Sequence, residues 1–217
     1  MLSNNSISDI LLNIPALLLA LTFHELSHGI VAYALGDNTA KRQGRLSLNP
    51  LKHIDWLGFI MLITVGFGWA KPVPVDPSYF KDPKKGMAIT SIAGPLSNVI
   101  LAFITALLVS WAGLIYMQDG SLYFSSEKFY NVFLIKFFIY NCAFAMFNLL
   151  PIPPLDGSKI VGAFLPNRIY FKYMQYERYG IIVMIVLLYT GILTPILSNG
   201  VENLMNAIFN GVSFIIK

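Results

Sequence analysis

The chain has 217 residues, 56% of them hydrophobic and 12% charged, with a mean hydropathy of +0.64. Soluble domains carry more charge than this, and the apolar residues come in long blocks, which excludes an ordinary soluble core and indicates an integral membrane protein. The net charge of +4 comes from basic residues clustered in loops between those blocks, so it reports topology and argues against a nucleic-acid partner.

The first apolar block is about Ile10–Leu35, ended by Gly36-Asp37-Asn38. It has no basic leader and no small-residue cleavage site, so it reads as a retained helix rather than a signal peptide. Within it stands His24-Glu25-Leu26-Ser27-His28. Positions i and i+4 share one face of a helix, so His24 and His28 can bind one metal ion, and Glu25 beside them can take a proton from a metal-activated water. A charged Glu25 in an apolar helix is costly and reads as functional. Two of the chain's three histidines form this pair.

A loop with Lys41, Arg42, Arg45 and Lys52 leads to a second block, Ile54–Phe67, which is short for a straight span. Asp55 is placed to cap it, and His53 reads as a solvated histidine in a basic loop. A proline-rich stretch follows, Gly68–Pro77, with Val73 and Val75 alternating between prolines, which suits a short edge strand or hairpin. The third block is Met87–Met117; its Asn98 reads either as an interhelical hydrogen bond or as a donor to substrate or oxyanion. The segment 118–128 carries a single lysine. The fourth block ends at Leu150, before Pro151, Pro153 and Pro154. Lys136 near its start is expected to snorkel, Cys142 reads as apolar filler, and Asn148 reads as Asn98 does or as a cap on the break. As the lone cysteine, Cys142 excludes an internal disulfide and a Cys-rich zinc site. A basic stretch, 151–178, precedes a fifth block, Tyr179–Leu197, and an apolar tail, Val201–Ile216.

Loops 36–53 and 68–86 carry four Lys or Arg each. They fall on one side only if the second block is re-entrant, and then every strongly basic loop is cytoplasmic. The expected fold is therefore an all-α, polytopic bundle of four to six transmembrane helices, a single domain over 1–217, with a re-entrant segment and a short hairpin-like element. The N-terminus is expected outside and the HExxH roughly 13 Å from the cytoplasmic end of its helix. A catalytic zinc usually has three protein ligands. The fourth block returns to the cytoplasmic side six residues before Asp156, so Asp156 can reach the histidines, although Asp156-Gly157 after proline also reads as an ordinary turn.

Phe23–Gly29 and Asn148–Gly157 together resemble the site-2 protease family of intramembrane metalloproteases. Leu46-Ser47-Leu48-Asn49-Pro50 with His53-Ile54-Asp55, then Gly68–Val75, and Ala93–Asn98 resemble its compact prokaryotic branch. The resemblance covers about residues 10–165. It implies one Zn2+ held by His24, His28 and Asp156, Glu25 as general base, and hydrolysis of a peptide bond within or near the transmembrane helix of a membrane-anchored protein in a prokaryotic plasma membrane. The extra leading helix and the PDZ or CBS domains of some relatives are expected to be missing. The competing readings are a proteolytically silent metal-binding protein of the same fold that retains client helices, against which the intact Glu25 argues, and a transporter, which needs more intramembrane polar residues.

Overall fold

The computed structural model describes residues 7–65, 68–118, 121–124 and 129–215. The first apolar block is helix α1 (Ile7–Ala34), and a short helix, α2 (Thr39–Arg42), opens the loop behind it. The second block yields only α3 (Trp56–Val65). Its ten residues rise about 15 Å, half the hydrocarbon thickness. Asp55 does cap it, accepting from the Gly58 N–H at 2.9 Å. The chain comes back beside its own point of departure: Ala70 bridges Ile54, and the Lys71 N–H donates to the His53 carbonyl at 3.0 Å. A segment that leaves and returns at one place has the re-entrant form expected from the basic loops. The last two residues of that block, 66–67, lie outside the described residues.

The third block is α4 (Pro83–Trp111), started by Asp82, whose side chain accepts from the Lys85 N–H. It stops short of the predicted Met117. The remaining residues turn into β1 (Ile115–Gln118), which pairs antiparallel with β2 (Ser121–Phe124). This hairpin was not foreseen; the short edge strand or hairpin expected around Val73–Val75 is an extended strap, bound mainly by side chains. Positions 119–120 and 125–128 of the expected 118–128 loop lie outside the described residues.

The fourth block is α5 (Phe129–Asn148), with Cys142 fully buried and Lys136 half-buried in its second turn. The basic stretch after it is not a loop but two short helices, α6 (Asp156–Phe164) and α7 (Asn167–Met174). The fifth block is not one helix either. It gives α8 (Glu177–Tyr189) and the start of α9 (Leu193–Ile215), which meet at 86°. Gly191 stands between them at φ 73, left-handed backbone that stops a helix and that a side chain would strain.

Among the described residues, three helices are long and apolar enough to cross a membrane, Leu12–Ala34, Pro83–Trp111 and Tyr130–Asn148, and α8 with α9 makes a fourth if the bent pair is counted as one. This is a polytopic helical membrane protein. Its packing rests on small residues. Ala16 and Ala20 of α1 and Ala102 and Ala106 of α4 are fully buried, one turn apart in each case, so helix backbones approach closely where lipid gives no hydrophobic drive. A second layer of Phe138, Cys142, Ile208, Phe209 and Val212 joins α5 and α9 to α4.

Candidate metal centre

Four residues expected at the site stand on two elements. α1 presents His24, Glu25 and His28 within slightly more than one turn. The chain then breaks after α5 at Leu149–Leu155 and restarts at Asp156, the first residue of α6. His24 Nε2 and His28 Nε2 are 3.0 Å apart, and Asp156 Oδ2 lies 3.2 Å from the first and 3.1 Å from the second. His24, Glu25 and Asp156 are all buried.

The far side of each ring is pinned. His24 Nδ1 donates to Asn98 Oδ1 at 2.6 Å, and His28 Nδ1 donates to the Thr90 carbonyl at 2.7 Å. Both partners are acceptors, so both Nδ1 atoms carry the hydrogen and both Nε2 atoms turn a lone pair inward. Asp156 Oδ2 faces both of these nitrogens, so three electron-pair donors converge on one point. Only a proton or a metal ion can sit among three such donors. Ligands about 2.0 Å from a tetrahedral zinc stand roughly 3.3 Å apart, close to the 3.0–3.2 Å separations here. The donor set therefore fits the ion.

α4 closes the other side. A Cβ at Gly94 would overlap the imidazoles of both His24 and His28, so glycine alone lets the helix backbone lie this near. Asn98, one turn on, has no free hydrogen: its amide donates to the Ala20 carbonyl at 3.1 Å and to Asn141 Oδ1 at 2.8 Å. It is a partner of His24, and the oxyanion reading has no donor left to use. Asn148 donates to the Phe144 carbonyl at 3.1 Å and lines the space around the site.

Glu25 lines the same space as the histidines. Its Oε2 accepts from the Val73 N–H at 2.7 Å. The strap carrying Val73 is fixed at both ends by residues from the loop after α1. Arg45 Nη2 donates to the Lys71 carbonyl at 2.7 Å, and Asp37 Oδ2 accepts from the Asp76 N–H at 2.7 Å. Both side chains are buried, Asp37 completely. Asp37 Oδ1 also accepts from the Thr39 N–H at 2.8 Å. Burial lowers the Arg45 guanidinium from its ordinary value, and the charge of Glu25 opposes the shift. His53 is not solvated as expected but wholly buried, because the turn Pro50–Lys52 folds it under the returning chain, where its Nε2 donates to the Ser47 carbonyl.

Two spaces adjoin the centre. One of about 350 Å³ surrounds the donor atoms and is lined by Val73, Asn148 and Asp156. A larger one of about 540 Å³ runs between α1, α3, α5 and α8 and is walled mainly by apolar residues, including Leu17, Leu21, Phe59, Leu62, Phe147 and Met184. Asn141, Val73, Asp37 and Arg45 were missed from the sequence. Asp37 and Arg45 bond backbone far away in the chain and Val73 acts through its own backbone N–H, which leaves no periodic pattern.

Residues 108–191 match the profile of peptidase family M50. The protein named "Putative zinc metalloprotease YwhC" from Bacillus subtilis is 41% identical over 194 residues, 87% of this chain and 87% of that one. The protein named "Putative zinc metalloprotease MJ0611" from Methanocaldococcus jannaschii is 32% identical over 160 residues, 73% of each chain. Another, Rip2 from Mycolicibacterium smegmatis, is 27% identical over 185 residues, 83% of this chain and 67% of its own. No solved structure matches the chain.

Proposed function

Because this chain belongs to peptidase family M50, we propose that it is a zinc endopeptidase that works within the membrane, hydrolysing a peptide bond in or near the transmembrane helix of a membrane-anchored protein. The observation that carries this reading is the convergence of His24, His28 and Asp156 beside Glu25 inside the apolar bundle.

In this reading His24 Nε2, His28 Nε2 and Asp156 Oδ2 hold one zinc ion. When bound, zinc supplies Lewis acidity, bringing the pKa of water to about 7 and polarising the scissile carbonyl. Glu25 takes the proton of the attacking water and returns it to the leaving amine. The Val73 N–H occupies one carboxylate oxygen and leaves the other for that proton. Asn98 and the Thr90 carbonyl keep the two imidazoles in the tautomer that binds metal.

A substrate helix hides its peptide bonds in its own hydrogen-bond ladder, so it must unwind before attack. The larger apolar cavity takes its side chains. The strap 71–76 is the extended element beside Glu25, and pairing with it as an added strand gives the freed peptide groups new partners. Asn148, which lines the same space, is the polar side chain offered to the substrate backbone. The density of Lys and Arg in loops 36–53 and 68–86 supports a centre on the cytoplasmic side of a prokaryotic plasma membrane, with the N-terminus outside.

Glu25→Gln is the test. The variant keeps the ligand set and the Val73 contact but removes the base. Purified variant is expected to hold as much zinc per chain as wild type and to cleave co-reconstituted membrane-anchored candidates at least ~10²-fold more slowly. Turnover at the wild-type rate would reject the mechanism.

A further inference from the structure

Helix α9 carries a second feature that peptidase chemistry leaves unused. Asn199, Asn203, Asn206, Asn210 and Ser213 follow one another at intervals of four, three, four and three residues. That is the a/d spacing of a coiled-coil seam. All are exposed except the half-buried Asn206. Among the described residues, none of the four amide side chains has a hydrogen-bond partner. In the bundle, Asn98, Asn141 and Asn148 all do, while the buried amide oxygens of Asn13 and Asn131 have none.

The opposite face of α9 is already committed. Val201, Leu204, Met205, Ile208, Phe209 and Val212 pack into the layer shared with α4 and α5. An amphipathic helix resting on a membrane surface turns its apolar side to lipid; here that side is spent on protein. α9 also lies along the spans rather than across their ends. Gly200 meets Met146, two residues from the end of α5, and Gly211 lies against Phe103 in the second half of α4. The eleven residues between them cover about 16 Å of depth. A row of unpaired amides therefore faces outward at the level of the hydrocarbon, where polar side chains normally turn inward or find a partner.

We propose that this seam is a homodimer interface, occupied by α9 of a second copy of this chain. An amide is both donor and acceptor, so the stripe is complementary to itself. Two copies inserted in the same sense are related by a two-fold axis along the membrane normal. Their α9 helices then run parallel, and each asparagine meets its own counterpart at the same depth, as a buried asparagine does in a parallel coiled coil. Glu202, exposed beside the seam near Gly200, adds an acceptor for amide hydrogens of the facing copy. A foreign helix would have to reproduce the same polar spacing; a second copy has it in register by symmetry.

The test uses the full chain in membranes. Cys142 is the only cysteine and is buried, so Cys142→Ala gives a clean background. Asn206→Cys in that background is expected to form a disulfide-linked dimer on mild oxidation, whereas Ile100→Cys, on an exposed face of α4, is not. Subunit counting of labelled wild type at low density in liposomes is expected to give two, falling to one when Asn199, Asn203, Asn206 and Asn210 are all replaced by leucine. A single subunit in wild type, or equal cross-linking at 100 and 206, overturns the proposal. So does cross-linking of position 206 to a different protein. The wild-type count decides the matter even if the leucine variant fails to fold.

Discussion

Asn98 touches no donor atom of the centre, yet it holds one of its histidines. Replacing it with alanine removes the acceptor from His24 Nδ1 and frees the ring to turn. Loss of such an outer partner typically costs 10–100-fold in metal affinity. Competition with a chelator is expected to show zinc binding weakened by about that factor in Asn98→Ala, with cleavage recovering as zinc is added. Asp37 acts at a greater remove. It accepts from two backbone N–H groups, of Thr39 and Asp76, and Asp37→Ala strands both, at about 1–3 kcal/mol each. The strap then loosens and Val73 leaves Glu25, so turnover is expected to fall while zinc per chain stays constant. Zinc loss equal to the activity loss would mean that the strap supports the fold and not the base. The legibility of these residues follows their chemistry. His24, Glu25 and His28 share one turn and can be read directly. Asp156 lies 128 positions after His28 and was reached through the break after α5 and by resemblance. Asp37, Arg45 and Val73 make their contacts with backbone or through it, 26 to 48 residues away, and nothing in composition or spacing announces such bonds.

α4 is an element whose role at the centre is mostly that of a wall. Its Gly94 allows the backbone to lie against both imidazoles, and Thr90, one turn earlier, supplies the carbonyl that holds His28. Gly94→Ala drives a methyl group into the rings. The expected outcome is loss of zinc with unchanged helical content, measured by metal analysis and circular dichroism on the same sample. Wild-type zinc content would show that α4 can retreat. The long helices α1, α4 and α5 were legible because apolar blocks of span length with clear polar ends have few other solutions in lipid. The bend between α8 and α9 was not. An apolar run reads the same straight or broken, and the left-handed Gly191 is a backbone property that residue type only permits. The hairpin Ile115–Phe124 was missed for a related reason: Met117 continues the apolar run of α4, so hydropathy alone extends the helix past its real end.

Over the whole molecule, the two ends of the α3 segment lie together. With Ile54 bridged to Ala70 and His53 bonded to Lys71, loops 36–53 and 68–86 cannot stand a membrane thickness apart at that junction. Single cysteines at Lys52 and Lys81, placed in a Cys142→Ala background, are expected to react with a membrane-impermeant reagent from the same side of sealed vesicles, the side that was cytoplasmic. Labelling from opposite sides would rule out the re-entrant arrangement and the cytoplasmic centre with it. Charge bias in the loops carried the shape of this segment, because eight basic residues leave one economical placement. The strap that the returning chain forms was legible only as extended backbone. Its use, as a clamp from the loop after α1 onto the proposed base, depends on three-dimensional proximity.

The hydrogen bonds that start at His24 all point one way. The imidazole gives its hydrogen to Asn98, Asn98 gives one to Asn141, and Asn141 gives one to the Phe137 carbonyl. Each amide that gives a hydrogen becomes a better acceptor for the one before it. The row thus behaves as a polarised wire that ends in the ring and makes its inner nitrogen more electron-rich. α5, which lends the centre no ligand, sets part of its electronic character from two bonds away. A cobalt-loaded sample should register Asn141→Leu as a shift in visible absorption with all three ligands still in place.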